Sequence, residues 1–204
     1  MRRLLAILLV VLAPISAAWS NGPSQTMEAG QVLRGRFVQE RHLKGFNAPL
    51  VTEGHFALVP GRGLIWQAET PFAVTTVITA AGLVQSVGGA ETMRLPSARL
   101  PFLSRLYDML SGVLAGDWRA IETDFAATRS GESGAWRMEL IPRQVPDQVA
   151  MPFRSITAKG GRFLEEVTLA KADGDDFDRL RFLDQVLSAD PLSAAESAAL
   201  DSSR

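Results

Sequence analysis

The chain contains no cysteine. Disulfide frameworks, thiolate metal sites, cysteine nucleophiles and a lipidated N-terminal cysteine are excluded together. Nor is there a basic excess: 21 Lys and Arg face 22 Asp and Glu. The electrostatic footprint of a nucleic-acid partner is therefore missing. Histidine is scarce, with only His42 and His55, and two at unmatched spacing make a weak case for zinc, which usually takes three or more protein ligands. No G-x-S-x-G elbow is present, and Pro60 to Gly63 is too short for a phosphate loop and lacks the lysine and hydroxyl that grip phosphate. These absences point to a non-enzymatic protein with no catalytic residues, no cofactor and no metal.

Two acidic groupings add no chemistry. Asp173, Asp175, Asp176 and Asp178 crowd one turn, but Phe177 sits where an EF-hand needs a ligand oxygen, so the cluster reads as a solvated hairpin turn. Glu165 and Glu166 are adjacent and point to opposite faces of a strand, which rules them out as a glycosidase pair.

What is present is ordinary globular material: 204 residues, 47% apolar and 21% charged, enough for one domain with a sizeable core. The first 18 residues read as a signal peptide. Arg2 and Arg3 precede the apolar run Leu4 to Ala13, and Ser16-Ala17-Ala18 supplies small residues for cleavage. Residues 19–204 form the single mature domain, and 190–204 reads either as a frayed tail or as a short helix. Without Arg2 and Arg3 the chain keeps 19 basic against 22 acidic residues, a charge of −3. No later apolar run reaches the ~18 residues of a membrane-spanning helix. A soluble protein outside the cytoplasm is expected.

Short strands dominate the pattern. They are expected over Arg36–His42, Thr52–Val59, Leu64–Glu69, Phe72–Thr79, Leu83–Val87, Glu91–Leu95, Ile121–Thr128, Ala135–Ile141, Phe153–Lys159, Phe163–Ala170 and Asp176–Phe182. Turn signals every 8–12 residues, among them a loop over Ser130–Gly134, mark an antiparallel sheet, sandwich or barrel. Helices are expected over Pro23–Leu33, over Pro101–Leu114 with an unusually wide apolar stripe, and over Ser193–Leu200, where Ser193 and Glu196 fit a capping box. Several strands are apolar on both sides, as Phe72, Val74, Thr76 and Ile78 are against Ala73, Thr75 and Val77. Either both faces are covered or one lines an apolar cavity.

Gly35, Phe37 and Gln39, then Glu53-Gly54, Leu64 and Trp66, Pro71, and Ala81-Gly82-Leu83 carry a resemblance to the LolA family of periplasmic lipoprotein carriers. A weaker likeness continues through Pro101-Phe102, Asp117-Trp118, the Trp136–Pro142 strand and Asp173-Gly174-Asp175. The resemblance implies a mainly β fold: a curved antiparallel sheet forming an incomplete barrel, with a helical lid over an apolar cavity. It implies a periplasmic carrier of acylated lipoprotein or other lipid-like cargo, moving between an inner-membrane donor complex and an outer-membrane acceptor. The acceptor of that family shares the fold but carries a lipidated cysteine, which this chain lacks. A monomer without nucleic acid is expected. The alternative is an acyl-sensing interaction module that regulates a protein partner. A hydrolase of acyl esters ranks last, for want of an elbow.

The candidate cavity residues are Phe37, Phe56, Trp66, Phe72 and Val74 on the sheet, with Phe102, Leu106, Met109 and Leu110 on one face of the lid helix. In the family an arginine before the Trp66 position helps hold the lid closed. An ungapped alignment puts Pro60 there, so Arg62, two residues later, is the candidate latch.

Overall fold

The computed structural model describes residues 27–28, 30–99, 125–132, 134–143 and 151–203. The signal peptide and the helix expected over Pro101–Leu114 lie outside them, as do residues 23–26 and 29 of the helix expected from Pro23.

The described chain is one antiparallel sheet of eleven strands. They are β1 (Val32–His42), β2 (Leu50–Val59), β3 (Gly63–Thr70), β4 (Val74–Thr79), β5 (Gly82–Val87), β6 (Ala90–Pro96), β7 (Phe125–Glu132), β8 (Ala135–Pro142), β9 (Phe153–Gly160), β10 (Leu164–Lys171) and β11 (Phe177–Ser188). β1 to β6 form one meander and β7 to β11 a second. β1 pairs with β11 to fuse them, so the order runs β6-β5-β4-β3-β2-β1-β11-β10-β9-β8-β7. Among the described residues β6 and β7 stay unpaired with each other, and the sheet is open.

The strands stand where β-branched and aromatic runs between turn residues put them, with four corrections. Val32 and Leu33 begin β1 and do not end a helix. β4 starts at Val74, so Phe72 lies outside it. The loop expected over Ser130–Gly134 is mostly strand, since β7 runs to Glu132 and Glu132 pairs with Ala135. β11 runs on to Ser188. That extension is hidden in the sequence by a bulge. Arg34 pairs with Val186 and Arg36 with Leu183, so two residues of β11 oppose one of β1. Asp184 takes the left-handed conformation there, with φ 52°, which a short polar side chain tolerates.

The C-terminal segment is a helix, α1 (Ala194–Ser202), with the expected capping box: Ser193 Oγ accepts from the Glu196 amide, and the Glu196 carboxylate accepts from the Ser193 amide. Nine residues make a marginal helix in water, and tertiary contacts hold this one. Leu200 packs with Val32, Ala57, Val59, Ile65 and Val77 of the sheet. This contact explains why β2 to β4 are apolar on both sides. Three arginines then pin the helix to that face. Arg34 grips Glu196 with Nε at 2.9 Å and Nη2 at 3.0 Å. Arg62 Nη2 donates to Asp201 at 3.1 Å. Arg94 Nη2 donates to the Ser202 carbonyl at 2.8 Å, a cation at the negative helix end.

The fork from Arg34, with the Ser193 bonds, lowers the Glu196 pKa to about 2. The folded state thus favours the ionised carboxylate. Its contribution is complete above the ordinary glutamate range near 4.5 and is lost as the pH falls through about 2. For a partly exposed clamp the loss should be about 1–2 kcal/mol. Acid titration of stability should show it in the native chain and not in Glu196→Gln, and equal slopes for the two would exclude the clamp.

Candidate functional site

The side of the sheet opposite α1 is built from rows of cross-strand neighbours. One row, in register across seven strands, reads Leu187, Leu33, Leu58, Leu64, Ile78, Leu83 and Leu95. The next runs Gly35, Phe56, Trp66, Thr76, Gln85, Met93, and the third Phe182, Phe37, Gly54, Ala68, Val74, Val87. A period of two along each strand and a fixed register across strands give one mostly apolar surface, interrupted by the hydrogen-bonded pair Thr76 and Gln85.

Two glycines shape its centre. Gly54 stands opposite Phe37 and Gly35 opposite Phe56, so each ring has a strand without a side chain beneath it. Phe37 stacks on Trp66 with centroids 3.8 Å apart. Phe182 meets Phe56 and Trp66 edge-on, at 5.5 and 6.1 Å. Offset and edge-to-face contacts of this kind add to plain burial. The rings fill the space between one another, and Phe37 is 0% exposed. Met27 and Phe163 also belong to this cluster. Towards β5 and β6 the same face opens, and Val87 and Met93 are exposed.

Of the candidate residues, the structure brings Phe37, Phe56, Trp66 and Val74 onto this one face. Phe72 stands apart, 77% exposed in the turn before β4. Phe102, Leu106, Met109 and Leu110 lie outside the described residues. Sequence reading missed Phe182, whose place depends on β11 pairing with β1. Arg62 reaches the carboxylate of Asp201 in the C-terminal helix.

The second half of the sheet carries its own core on the same side: Phe125, Trp136, Met138, Leu140, Phe153 and Ile156. The buried Trp136 indole donates to the Gly161 carbonyl at 2.9 Å, as a buried N–H requires. On the α1 side the charges are matched. Glu40 accepts from His42 at 3.2 Å and from Arg181 at 2.9 Å, with Arg179 at 3.5 Å. The bond to His42, with the two arginines, holds its carboxyl below the usual range. His55 meets Glu69 at 2.9 Å. An open groove of about 580 Å³ lies on this side, between α1 and the sheet, lined by Arg34, Ile65, Gln67 and Val186. Its arginine is already committed to Glu196. Among the described residues no group of three or more His, Asp or Glu could hold a metal ion, and no helix is long and apolar enough to cross a membrane.

Asp178 corrects the reading of the acidic turn. It is a strand residue, 4% exposed, held by Arg41 Nε at 3.1 Å and by Lys171 Nζ. Only Asp173, Gly174 and Asp175, with Asp176 closing back on Lys171, make the turn.

Residues 23–169 match the family model described as outer membrane lipoprotein carrier protein LolA-like. No curated protein matches the chain. Among solved structures, a LolA superfamily protein from Nitrosomonas europaea aligns at 9% identity over 86% of this chain and 91% of that one, with a TM-score of 0.43. The MucA/MucB complex of Pseudomonas aeruginosa aligns at 16% identity over 81% of this chain, with a TM-score of 0.47; the chain spans 56% of that one's length.

Proposed function

We propose, from the premise that the chain belongs to the LolA-like family of outer membrane lipoprotein carrier proteins, that it shields acyl chains on the aromatic face during transfer through the periplasm. Residues 1–18 direct export, and the single domain that follows takes acylated lipoprotein or related lipid-like cargo from an inner-membrane donor and passes it to an outer-membrane acceptor, as a monomer and without catalysis. The observation that carries this reading is the apolar face itself, continuous in register across β11 and β1 to β6. Each CH₂ withdrawn from water is worth roughly 0.8 kcal/mol, so such a surface holds an acyl chain without chemical specificity. The segment 101–114, with Phe102, Leu106, Met109 and Leu110 on one side, completes the enclosure.

Native mass spectrometry of the protein taken from the periplasm tests the proposal. Co-purifying mass that releases acylated peptide or lipid supports it. A lipid-free complex with one membrane protein would favour the regulatory module instead, and a bare chain under conditions of active lipoprotein export would count against both.

We propose Arg62 as the latch that holds the lid segment closed; among the described residues its guanidinium pairs with Asp201 of α1. Arg62→Leu should change stability by less than about 1 kcal/mol, because a half-exposed ion pair is worth little, yet shift the rates of cargo uptake and release. Unchanged kinetics in the folded variant would make Arg62 a surface residue only.

A further inference from the structure

We infer that the acyl compound held on the aromatic face carries an anionic head group, seated at Arg41 and Lys171. The inference rests on the acyl-carrier reading and adds the chemical class of its cargo.

One row of that face carries charge. Across the strands it reads Leu50, Arg41, Asp178, Leu169, Ile156, Leu140. A charged pair thus sits among aliphatic neighbours. A buried carboxylate needs one cation to balance it. Asp178 has two, Arg41 and Lys171, one more than its own charge needs. Both cations reach solvent, with side chains 51% and 36% exposed. Arg41 spends only Nε on Asp178, and among the described residues its two Nη groups have no partner. They present the fork that suits a phosphate or carboxylate. Among the described residues neither cation pairs with a carboxylate of the neighbouring turn. Asp175 pairs with Lys44 Nζ at 3.4 Å, and Asp176 accepts from the Lys44 amide at 2.7 Å. Arg154 is taken up by the carbonyls of Lys171 and Gly174.

The spacing fits an amphiphile. Leu50, directly opposite Arg41, is exposed, so this end of the face is open. Phe37 lies four residues from Arg41 along β1, about 13 Å at ~3.3 Å per residue. One leaflet of a bilayer core, the reach of a single acyl chain, is about 15 Å. A head group at Arg41 and Lys171 therefore places the chain end against Trp66 and Phe182, the half-buried rings of the aromatic cluster, with Gln39 and Leu180 beside its middle.

The test is equilibrium binding of three single-chain probes to the whole mature chain: palmitate, lysophosphatidylglycerol and uncharged monopalmitoylglycerol. At least one anionic probe should bind about tenfold tighter than the neutral one, the size of one charge-assisted contact, and high salt should erode the preference. The tighter of the two anionic probes identifies carboxylate or phosphate as the head group. In Arg41→Gln and Lys171→Gln the anionic and neutral affinities should converge. Equal binding of all three probes by the unaltered chain overturns the head-group inference and leaves the carrier reading standing. A preference that survives in both variants, or that ignores salt, overturns the assignment to these residues. Binding of none of the three overturns the carrier reading as well.

Discussion

Replacing Phe37 by alanine should cost about 3–5 kcal/mol of folding stability, the range for deleting a large aromatic from a core. The side chain has no exposed surface, stacks on Trp66 and lies over Gly54, which has no side chain to move into the space. A glycine floor makes the cavity hard to refill, so the upper half of the range is expected. Native stabilities run to only about 5–15 kcal/mol, and the variant will sit near its unfolding threshold. Chemical denaturation measures the loss. A cost below about 1 kcal/mol would mean that the ring is not packed as described. For cargo binding the informative change is Trp66→Leu, because Trp66 is only half buried. It should weaken acyl binding while keeping the fold.

Gly54→Ala should be nearly as damaging, although it adds a single methyl. A Cβ at this position would stand 1.9 Å from the Gln67 carbonyl oxygen and 2.9 Å from Ala68 Cα. Both are backbone atoms of the adjacent strand, so no rotamer change relieves the clash. β2 and β3 would have to separate where their register already shifts, between Glu53 and Gly54. The expected cost is at least about 3 kcal/mol, at or above the top of the usual overpacking range, visible as a lowered melting temperature. A neutral outcome would show that the strands part readily at this bulge. The same contact explains why Gly54 belongs to the pattern that resembles the family: close approach of two strands under an aromatic ring demands a residue without Cβ. Gly35, whose Cβ would meet the Phe56 ring at 2.8 Å, obeys the same rule.

The amino-acid sequence by itself determined where the chain runs extended and where it turns. Alternation, β-branched runs and Gly or Pro punctuation are local, so most of the strands and the Ser193 capping box could be read directly. It also marked Phe37, Phe56, Trp66 and Val74 as apolar candidates. Only the tertiary structure decided which partners they have. Phe182 joins Phe37, Arg34 grips Glu196 and Arg41 meets Asp178 because β11 and the C-terminal helix return to β1 from more than a hundred residues away. No local signal encodes such a pairing. A shift of one residue in the β1–β11 register would send Phe182 to the other face and leave its strand equally good in propensity. The same holds for Asp178, which in sequence is one more acid of a polar turn. It becomes a buried carboxylate between two cations because the register carries it onto the apolar face, where desolvation makes charge balance obligatory.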